Sequence, residues 1–152
     1  MQTTSVITHI SNWLKNYASS CNSQGFVIGI SGGIDSAVTS ILAAKTGLPL
    51  ICVEMPIHQK KIQTERGLKH IDWLKKKFSN VSSIRLELSS IFDEFIAKIP
   101  VNNKSELALV NTRARLRMTT LYYFAQANNS LVLGTGNKVE DFGIGFFTKY
   151  GD

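Results

Sequence analysis

Four short apolar runs alternate along the chain with stretches of helical periodicity. The runs are residues 26–30, 50–53, 83–88 and 130–133. Three of them are apolar almost throughout, which is typical of strands buried on both faces of a parallel sheet. Apolar and polar residues alternate in residues 83–88, which indicates a strand nearer an edge. Strands separated by helices form βαβ units with right-handed crossovers. The sequence therefore predicts an α/β fold, an open parallel sheet with helices on both faces.

Amphipathic helices are expected between the strands. Ser105 is the expected cap of the longest helix, residues 107–127, and Ser89 or Ser90 that of the helix before it, with residues 101–104 as a loop. The longest helix has an apolar stripe formed by Leu107, Val110, Ala114, Met118, Leu121 and Ala125. The apolar face expected for the first helix consists of Ile7, Ile10, Trp13, Leu14 and Tyr17.

Composition limits the classes of partner and the cellular compartment that we expect. A formal net charge of +6 suits anionic partners. No basic cluster is interleaved with aromatic residues, and no apolar run approaches about 18 residues, so neither nucleic acid nor a membrane is an expected partner. Cys21 and Cys52 form no CxxC pair, and the start of the chain has no signal-peptide pattern. We therefore expect a reducing, cytoplasmic compartment.

The strongest chemical signal is the turn GISGGIDS at residues 29–36, which follows a strand and opens a helix. Adjacent glycines let the backbone approach an anion, and the free amides at a helix start favour phosphate. The hydroxyl groups of Ser31 and Ser36 add donors. Asp35 would repel a bound phosphate unless Mg²⁺ bridges the two. An isolated turn of this kind would be only a bend with a helix cap, but its position favours phosphate binding.

A second glycine-rich turn, residues 134–137, follows the last strand. In open parallel sheets, ligands bind beyond the carboxyl ends of the strands, at the point where the strand order reverses. Both turns are expected there, which brings Thr135 to the site. Glu140, just beyond the second turn, would complete a Mg²⁺ site with Asp35.

The sequence resembles a known family at three places. SGGIDS, residues 31–36, looks like the pyrophosphate loop of N-type ATP pyrophosphatases, which include NAD synthetases, GMP synthetases, asparagine synthetases and tRNA-thiolating enzymes. NTRARLRM, residues 111–118, is similar to the NxxAR-x-RM helix of NAD synthetases. GTGNKVE at residues 134–140 and GFFTKYGD at residues 145–152 are similar to that family's GT-x-NK-x-E and G[YF]-x-TKYGD signatures. The motifs follow the family's order and favour NAD synthetases within the group.

The resemblance implies an adenine nucleotide alpha hydrolase-like (Rossmann-like) ATP-pyrophosphatase fold and a ligase activity. An ammonia-dependent NAD synthetase converts deamido-NAD, ATP and ammonia into NAD⁺, AMP and pyrophosphate through an acyl adenylate, as the final step of NAD biosynthesis. The resemblance further implies Mg²⁺ as cofactor, ATP as co-substrate and a homodimer. The alternatives are a GMP synthetase-like or tRNA-thiolating pyrophosphatase, which would carry reactive cysteines or an RNA-binding extension, and a non-catalytic ATP-binding module.

Carried onto this sequence, the resemblance assigns residues to each ligand. ATP would be bound by Gly29, Ile30, Ser31, Gly32, Gly33, Ile34, Asp35, Ser36 and Thr135. Deamido-NAD would be bound by Arg115 and Lys149, and Mg²⁺ by Asp35 and Glu140. No residue is required as a nucleophile. Arg113 and Arg117, on the other flank of the helix, are expected to be solvated charges.

Family members are longer than this chain, which stops within a signature at Asp152. We therefore expect residues 1–152 to be the N-terminal portion of a single NAD synthetase domain. Because Met1 leads directly into the first helix, no amidohydrolase domain is expected ahead of it. That favours free ammonia over glutamine as the nitrogen donor.

Overall fold

The computed structural model describes residues 2–100, 105–145 and 147–149. The loop expected at residues 101–104 lies outside this range, as do Phe146 and residues 150–152 of the last signature. The helices are α1 (Thr3–Ser20), α2 (Ile34–Ala44), α3 (Lys61–Lys77), α4 (Ser89–Lys98) and α5 (Glu106–Ala127). The strands are β1 (Gly25–Gly29), β2 (Leu50–Glu54), β3 (Val81–Arg85) and β4 (Ser130–Val132), and a π-helical segment (Val139–Ile144) follows them.

All four strands pair in parallel, in the order β3-β2-β1-β4. The chain adds β2 and β3 on one side of β1 and then crosses to add β4 on the other side. The strand order therefore reverses between β1 and β4, and their carboxyl ends flank the place where such folds bind ligands. This arrangement confirms the predicted parallel α/β sheet, including the edge position of β3.

Two apolar layers cover the two faces of the sheet, because successive side chains of each strand point to opposite sides. Phe26 and Ile28 of β1 pack into the layer beneath α1, α2 and α3. Val27 of the same strand packs with Phe92 of α4 and Ala125 of α5 on the opposite face. The prediction of helices on both faces is thus confirmed. No helix in the described ranges is long and apolar enough to cross a membrane.

The buried face of α1 is rotated relative to the sequence prediction. Trp13 and Tyr17 are 56% and 50% exposed and stack on each other, with 5.4 Å between ring centroids. The buried residues are Ser11, Leu14 and Ala18. Small Ser11 and Ala18 side chains allow close packing, and the Ser11 hydroxyl donates to the Leu42 carbonyl of α2 at 3.1 Å. The prediction that Trp13 and Tyr17 face the core is therefore wrong.

Of the two helix caps predicted from the sequence, the structure has one. Ser105 caps α5 as predicted, since its hydroxyl accepts the Ala108 N–H at 3.4 Å. Neither Ser89 nor Ser90 caps α4, whose N-cap position is Leu88. The Ser89 hydroxyl instead accepts the His58 N–H at 3.0 Å, so it is engaged by the loop that follows β2.

Two apolar elements near the end of the chain are more exposed than predicted. Leu107 and Val110, the first members of the α5 stripe, are 66% and 45% exposed, whereas Ala125 at its far end is buried. Strand β4 is half-buried, because it lies at an edge of the sheet that the described residues form.

Candidate functional site

The loop after β1 rests against α3 and requires glycine at one position. Gly32 has φ +82°, and a Cβ atom there would lie 2.5 Å from the Gln63 carbonyl oxygen and 3.2 Å from the Gly67 nitrogen. A Cβ on Gly33 would instead meet only the Ser31 hydroxyl, at 3.3 Å. Gly32 is therefore fixed by close packing, whereas the space over Gly33 is open to a ligand. Two glycines that look equivalent in the sequence have different roles.

Two serines hold the loop in its shape. The Ser36 hydroxyl donates to the Gly33 carbonyl at 3.1 Å and accepts the Ser31 N–H at 3.3 Å. The Ser31 hydroxyl accepts the Gly33 N–H at 3.2 Å and lies 3.1 Å from the Ser36 hydroxyl. Ser36 is only 2% exposed, so its hydroxyl supports the loop from below. The first-turn N–H groups of α2, which have no intrahelical carbonyl partner, are the donors left for an anion.

The other residues predicted for ATP binding surround this loop. Gly29 ends β1, and Ile30 is buried, with its N–H bound to the Val53 carbonyl at 2.9 Å. Ile34 and Asp35 form the first turn of α2, where Ile34 is 73% exposed. An apolar side chain this exposed lies at the rim of the loop, beside the open space over Gly33.

The second glycine-rich turn meets the first through Asn137. Its Nδ2 donates to Oδ1 of Asp35 at 3.4 Å, and its Oδ1 accepts the N–H groups of Val139 and Glu140 at 3.1 and 3.0 Å. Asp35 and the backbone of Glu140 are therefore both bound to one side chain. The predicted meeting of the two turns at the carboxyl ends of β1 and β4 is confirmed, while metal binding by the two acids stays a prediction.

A cavity of about 280 Å³ opens where the strand order reverses. Its walls come from the end of β1, the end of β2, one side of α5 and the turn after β4. The lining includes Gly29, Ile30, Ser31, Met55, Arg117, Met118, Leu121 and Thr135. Apolar side chains from β2 and α5 lie across the cavity from residues 29–36, the predicted phosphate loop. Such a cavity suits a ligand that has an apolar part beside an anionic one.

Arg117 and Arg113 are not solvated helix charges, so that expectation is wrong. The Nε atom of Arg117 donates to the Met55 carbonyl at 2.9 Å, and burial together with the nearby charge of Arg113 lowers its pKa. The Arg113 guanidinium lies 4.8 Å from the centre of the Phe92 ring. Its Nε is buried without a hydrogen-bond partner among the described residues. Both arginines therefore face the protein, Arg117 at the wall of the cavity.

Arg115 and Lys149, the two residues assigned to the dinucleotide, lie side by side. The exposed Arg115 donates from Nε to the Lys149 carbonyl at 3.2 Å. One residue earlier, the Thr148 hydroxyl donates to Oδ1 of Asn111 at 2.9 Å. Thr148 and Lys149 of the last signature thus bind to residues of α5. A second cavity, about 750 Å³, is lined by Lys149 and by Gly134, which the first cavity shares.

Two polar residues of this region escaped the sequence prediction. Asn137 precedes Glu140 by three residues, which is the spacing of a helix N-cap and its acidic partner, and that signal could have identified it. Asp141 leaves no room for a side chain at Gly136, because a Cβ there would overlap its carboxylate. A third acid therefore lies close to the turn that carries Asn137.

Asp35 and Glu140 are the predicted ligands of a magnesium ion. No group of three or more His, Cys, Asp or Glu residues in the described part of the chain is arranged to hold a metal. Magnesium is usually held by one or two carboxylates, with substrate phosphates and water as its other ligands. Asp35 is part of the loop at residues 29–36, and Asn137 binds it close to the turn that leads to Glu140. The hard oxygen donors present fit an ion that arrives with a phosphate chain.

A glycine-rich loop between a strand and a helix, at the reversal point of a parallel α/β sheet, is typical of nucleotide-binding proteins. The chain matches the NAD synthase family over residues 6–152, and it belongs to that family. The NH(3)-dependent NAD(+) synthetase of Malacoplasma penetrans is 38% identical over 148 residues, covering 97% of this chain and 57% of that protein. The family resemblance seen in the motifs is confirmed.

Solved structures agree with this assignment. NMN synthetase from Francisella tularensis superposes with a TM-score of 0.89 at 34% identity, covering 99% of this chain and 61% of that one. NH3-dependent NAD synthetase from Campylobacter jejuni, in complex with the nitrate ion, gives 0.88 at 32% identity, covering 99% and 63%. These similarities confirm the ATP-pyrophosphatase fold. The chain spans about three-fifths of the length of the relatives it matches.

Proposed function

We propose that the protein carrying this sequence is an ammonia-dependent NAD synthetase. It would amidate the nicotinate carboxylate of deamido-NAD with ammonia and convert ATP into AMP and pyrophosphate. The observation that carries the proposal is the contact between the two signature turns, made by Asn137 and Asp35. Each turn also contributes residues to the wall of the same cavity, Ser31 from the first and Thr135 from the second. Family membership supports the same reaction.

The chemistry explains why ATP is needed. A carboxylate resists attack by ammonia because it is anionic and its leaving group would be oxide. Attack of a carboxylate oxygen on the α-phosphorus of ATP releases pyrophosphate and forms an acyl adenylate. Ammonia then attacks the acyl carbon, AMP leaves with the electron pair of the broken C–O bond, and one proton of the nitrogen is lost. The protein's part is to position the reactants and stabilise charge.

The ATP site would be formed by residues 29–36 and Thr135. The first-turn amides of α2 would donate to the phosphates, with Ser36 holding the loop in shape, and the cavity beside Met55 would take the base. Magnesium, when held by Asp35 and Glu140, would offset the charge of the phosphates.

The dinucleotide would lie across the groove beside Lys149. Lys149 lines the second cavity, and Arg115 is bound to the Lys149 carbonyl. The two side chains would supply positive charge to the phosphates or the carboxylate of the dinucleotide. Gly134 lines both cavities, which supports the passage of the carboxylate toward the α-phosphorus. A homodimer belongs to the proposal, and the exposed apolar side chains Leu107 and Val110 on α5 support a partner surface.

The domain assignment and the cellular compartment belong to the same proposal. The chain aligns with about three-fifths of the length of three NH(3)-dependent NAD(+) synthetases, which supports assigning residues 1–152 to the N-terminal portion of a single synthetase domain. A cytoplasmic location is supported by two unpaired thiols, Cys21 and Cys52.

The test is an assay of the complete protein with ATP, Mg²⁺ and ammonia. Deamido-NAD and nicotinate mononucleotide should be supplied separately, because the similarity to an NMN synthetase makes the mononucleotide the second candidate substrate. We expect NAD⁺, AMP and pyrophosphate in equal amounts with deamido-NAD. Turnover of the mononucleotide alone would replace the proposed substrate. ATP binding without release of pyrophosphate, in the presence of either candidate substrate, would instead indicate a non-catalytic module.

A further inference from the structure

We propose that Asn137 is a positioning residue that sets the two predicted magnesium acids relative to each other. The proposal rests on the proposed function, since it concerns the same site. Asn137 lies between Asp35 on α2 and Glu140 in the π-helical segment, and it bonds to both residues. Asn137 is part of the GT-x-NK-x-E signature, but the resemblance assigns it no ligand. Its role follows from three hydrogen bonds made by one carboxamide.

The orientation of the carboxamide is determined by its neighbours. Its Oδ1 accepts two backbone N–H groups, from Val139 and Glu140, so the oxygen must point into the π-helical segment. The Nδ2 group must then point the other way, toward Asp35. It donates to Oδ1 of that carboxylate, which leaves Oδ2 for a cation. The amide is neutral, so it orients Asp35 without competing with a cation for charge.

The π-helical segment depends on Asn137 because it has little burial to hold it. Val139, Phe142 and Ile144 are 68%, 86% and 74% exposed. The Asn137 carbonyl also accepts the Asp141 N–H at 2.9 Å, so this residue bonds to three successive amides of the segment. Removing the side chain would leave Glu140 on a segment with fewer constraints.

Three substitutions separate the two functions of the side chain. Asn137→Ala loses both the acceptor and the donor. Asn137→Asp keeps an acceptor for the two amides, loses the donor and places a second charge beside Asp35. Asn137→Ser keeps an acceptor at the start of the segment and adds no charge. The matched control is Asn80→Ala, which removes bonds to the carbonyls of Ala44 and Leu48 away from the phosphate loop.

The variants are compared in the complete protein by two measurements that need no turnover. Amide hydrogen exchange at Val139 and Glu140, without nucleotide or metal, should be as slow in the Asp and Ser variants as in the wild type and faster in the Ala variant. Mn²⁺ titration with a non-hydrolysable ATP analogue should show affinity about ten- to a hundredfold weaker in Asn137→Ala and Asn137→Ser, the usual range for loss of a hydrogen bond to a metal ligand. Asn80→Ala should bind Mn²⁺ like the wild type.

The outcomes distinguish this proposal from the proposed function. Wild-type Mn²⁺ affinity in Asn137→Ala, in a protein that amidates deamido-NAD, would overturn the positioning role and leave the function standing. Weakened Mn²⁺ affinity in a protein that amidates neither deamido-NAD nor nicotinate mononucleotide would support the positioning role and contradict the synthetase. An equal loss of Mn²⁺ affinity in Asn80→Ala would also overturn the proposal, because it would show a general effect of destabilisation.

Discussion

The Nε atom of Arg117 donates a hydrogen bond to the backbone carbonyl of Met55, 2.9 Å away. This bond joins the middle of α5 to the chain that leaves β2, and both residues line the cavity beside the phosphate loop. A guanidinium that is half-buried and bound to a carbonyl keeps its remaining N–H groups for other acceptors. Arg117 therefore fixes one wall of the cavity and can still contact a ligand.

Replacing Arg117 with alanine should weaken both the fold and ATP binding. A buried carbonyl would lose a charged donor, which costs about 1.5 to 3 kcal/mol of unfolding free energy. We expect Arg117→Lys to restore part of the stability but little of the affinity, because one ammonium cannot replace a planar fork. Urea unfolding and calorimetry with Mg-ATP measure the two effects. Unchanged values in both variants would contradict the assignment.

Gly32→Ala should be more damaging than Gly47→Ala. Both glycines have a positive φ, +82° and +76°, so each alanine incurs a left-handed backbone cost of about 1 to 2 kcal/mol. Only at Gly32 would the new Cβ also press on α3, 2.5 Å from the Gln63 oxygen, whereas nothing lies within 4 Å at Gly47. Overpacking adds about 1 to 3 kcal/mol, so we expect a total of about 2 to 5. Equal unfolding free energies for the two variants would contradict this close packing.

Periodicity and turn chemistry predicted the parts of the fold that depend on neighbours in sequence. The apolar strands, the glycine-rich turns and the Ser105 cap are of this kind. The buried side of α1 depends on α2 instead. The helical period allows either Trp13 or Ala18 to face the core, and only the close packing of the two helices selects Ala18. Such a choice cannot be derived from one helix considered alone.

In the candidate site too, the parts formed by sequence neighbours are predictable and the parts formed by distant residues are not. The loop at residues 29–36 is predictable because its strand, glycines and helix are contiguous in sequence. The burial of Arg117 depends on Met55, which is 62 residues away in the chain. Charged residues on a helix are usually solvated, so nothing local in the sequence identifies an arginine that binds a distant carbonyl.

Asp35→Asn should abolish magnesium-dependent turnover and leave the fold intact. The substitution keeps the shape of the side chain but removes the charge that a divalent cation requires. A carboxylate in the first turn of a helix contributes only about 0.3 to 1 kcal/mol to stability. Turnover in the complete protein and circular dichroism measure the two properties. Asp93→Asn is the control, since Asp93 pairs on the surface with His58 at 2.8 Å. Normal turnover in Asp35→Asn would exclude Asp35 as a ligand.

The two thiols should differ sharply in reactivity. Burial raises the pKa of the Cys52 thiol to about 12, whereas Cys21 is exposed at the end of α1. Only the thiolate is nucleophilic, so iodoacetamide at pH 8 should alkylate Cys21 and spare Cys52 until the protein unfolds. Mass spectrometry of tryptic peptides, with and without urea, would follow both sites. Fast alkylation of Cys52 in the folded protein would contradict its burial in β2.

The buried carboxylate of Glu54 should make stability depend on pH in an unusual direction. Burial raises its pKa, against the opposing effect of Arg85, whose Nε lies 2.9 Å from the carboxylate. A carboxyl group with a raised pKa in the folded state favours folding in its protonated form. Its unfavourable contribution therefore appears as the pH rises from the ordinary glutamate value of 4.5 through the raised one.

Glu54→Gln removes this titration and should change stability most above that range. We expect the variant to gain unfolding free energy relative to the wild type between pH 4 and pH 7.5, as measured by urea unfolding at both values. Glu65→Gln is the matched control, because Glu65 forms an exposed pair with Lys61 at 3.9 Å and should show almost no such difference. A difference of opposite sign for Glu54→Gln would mean that Arg85 outweighs the cost of burial.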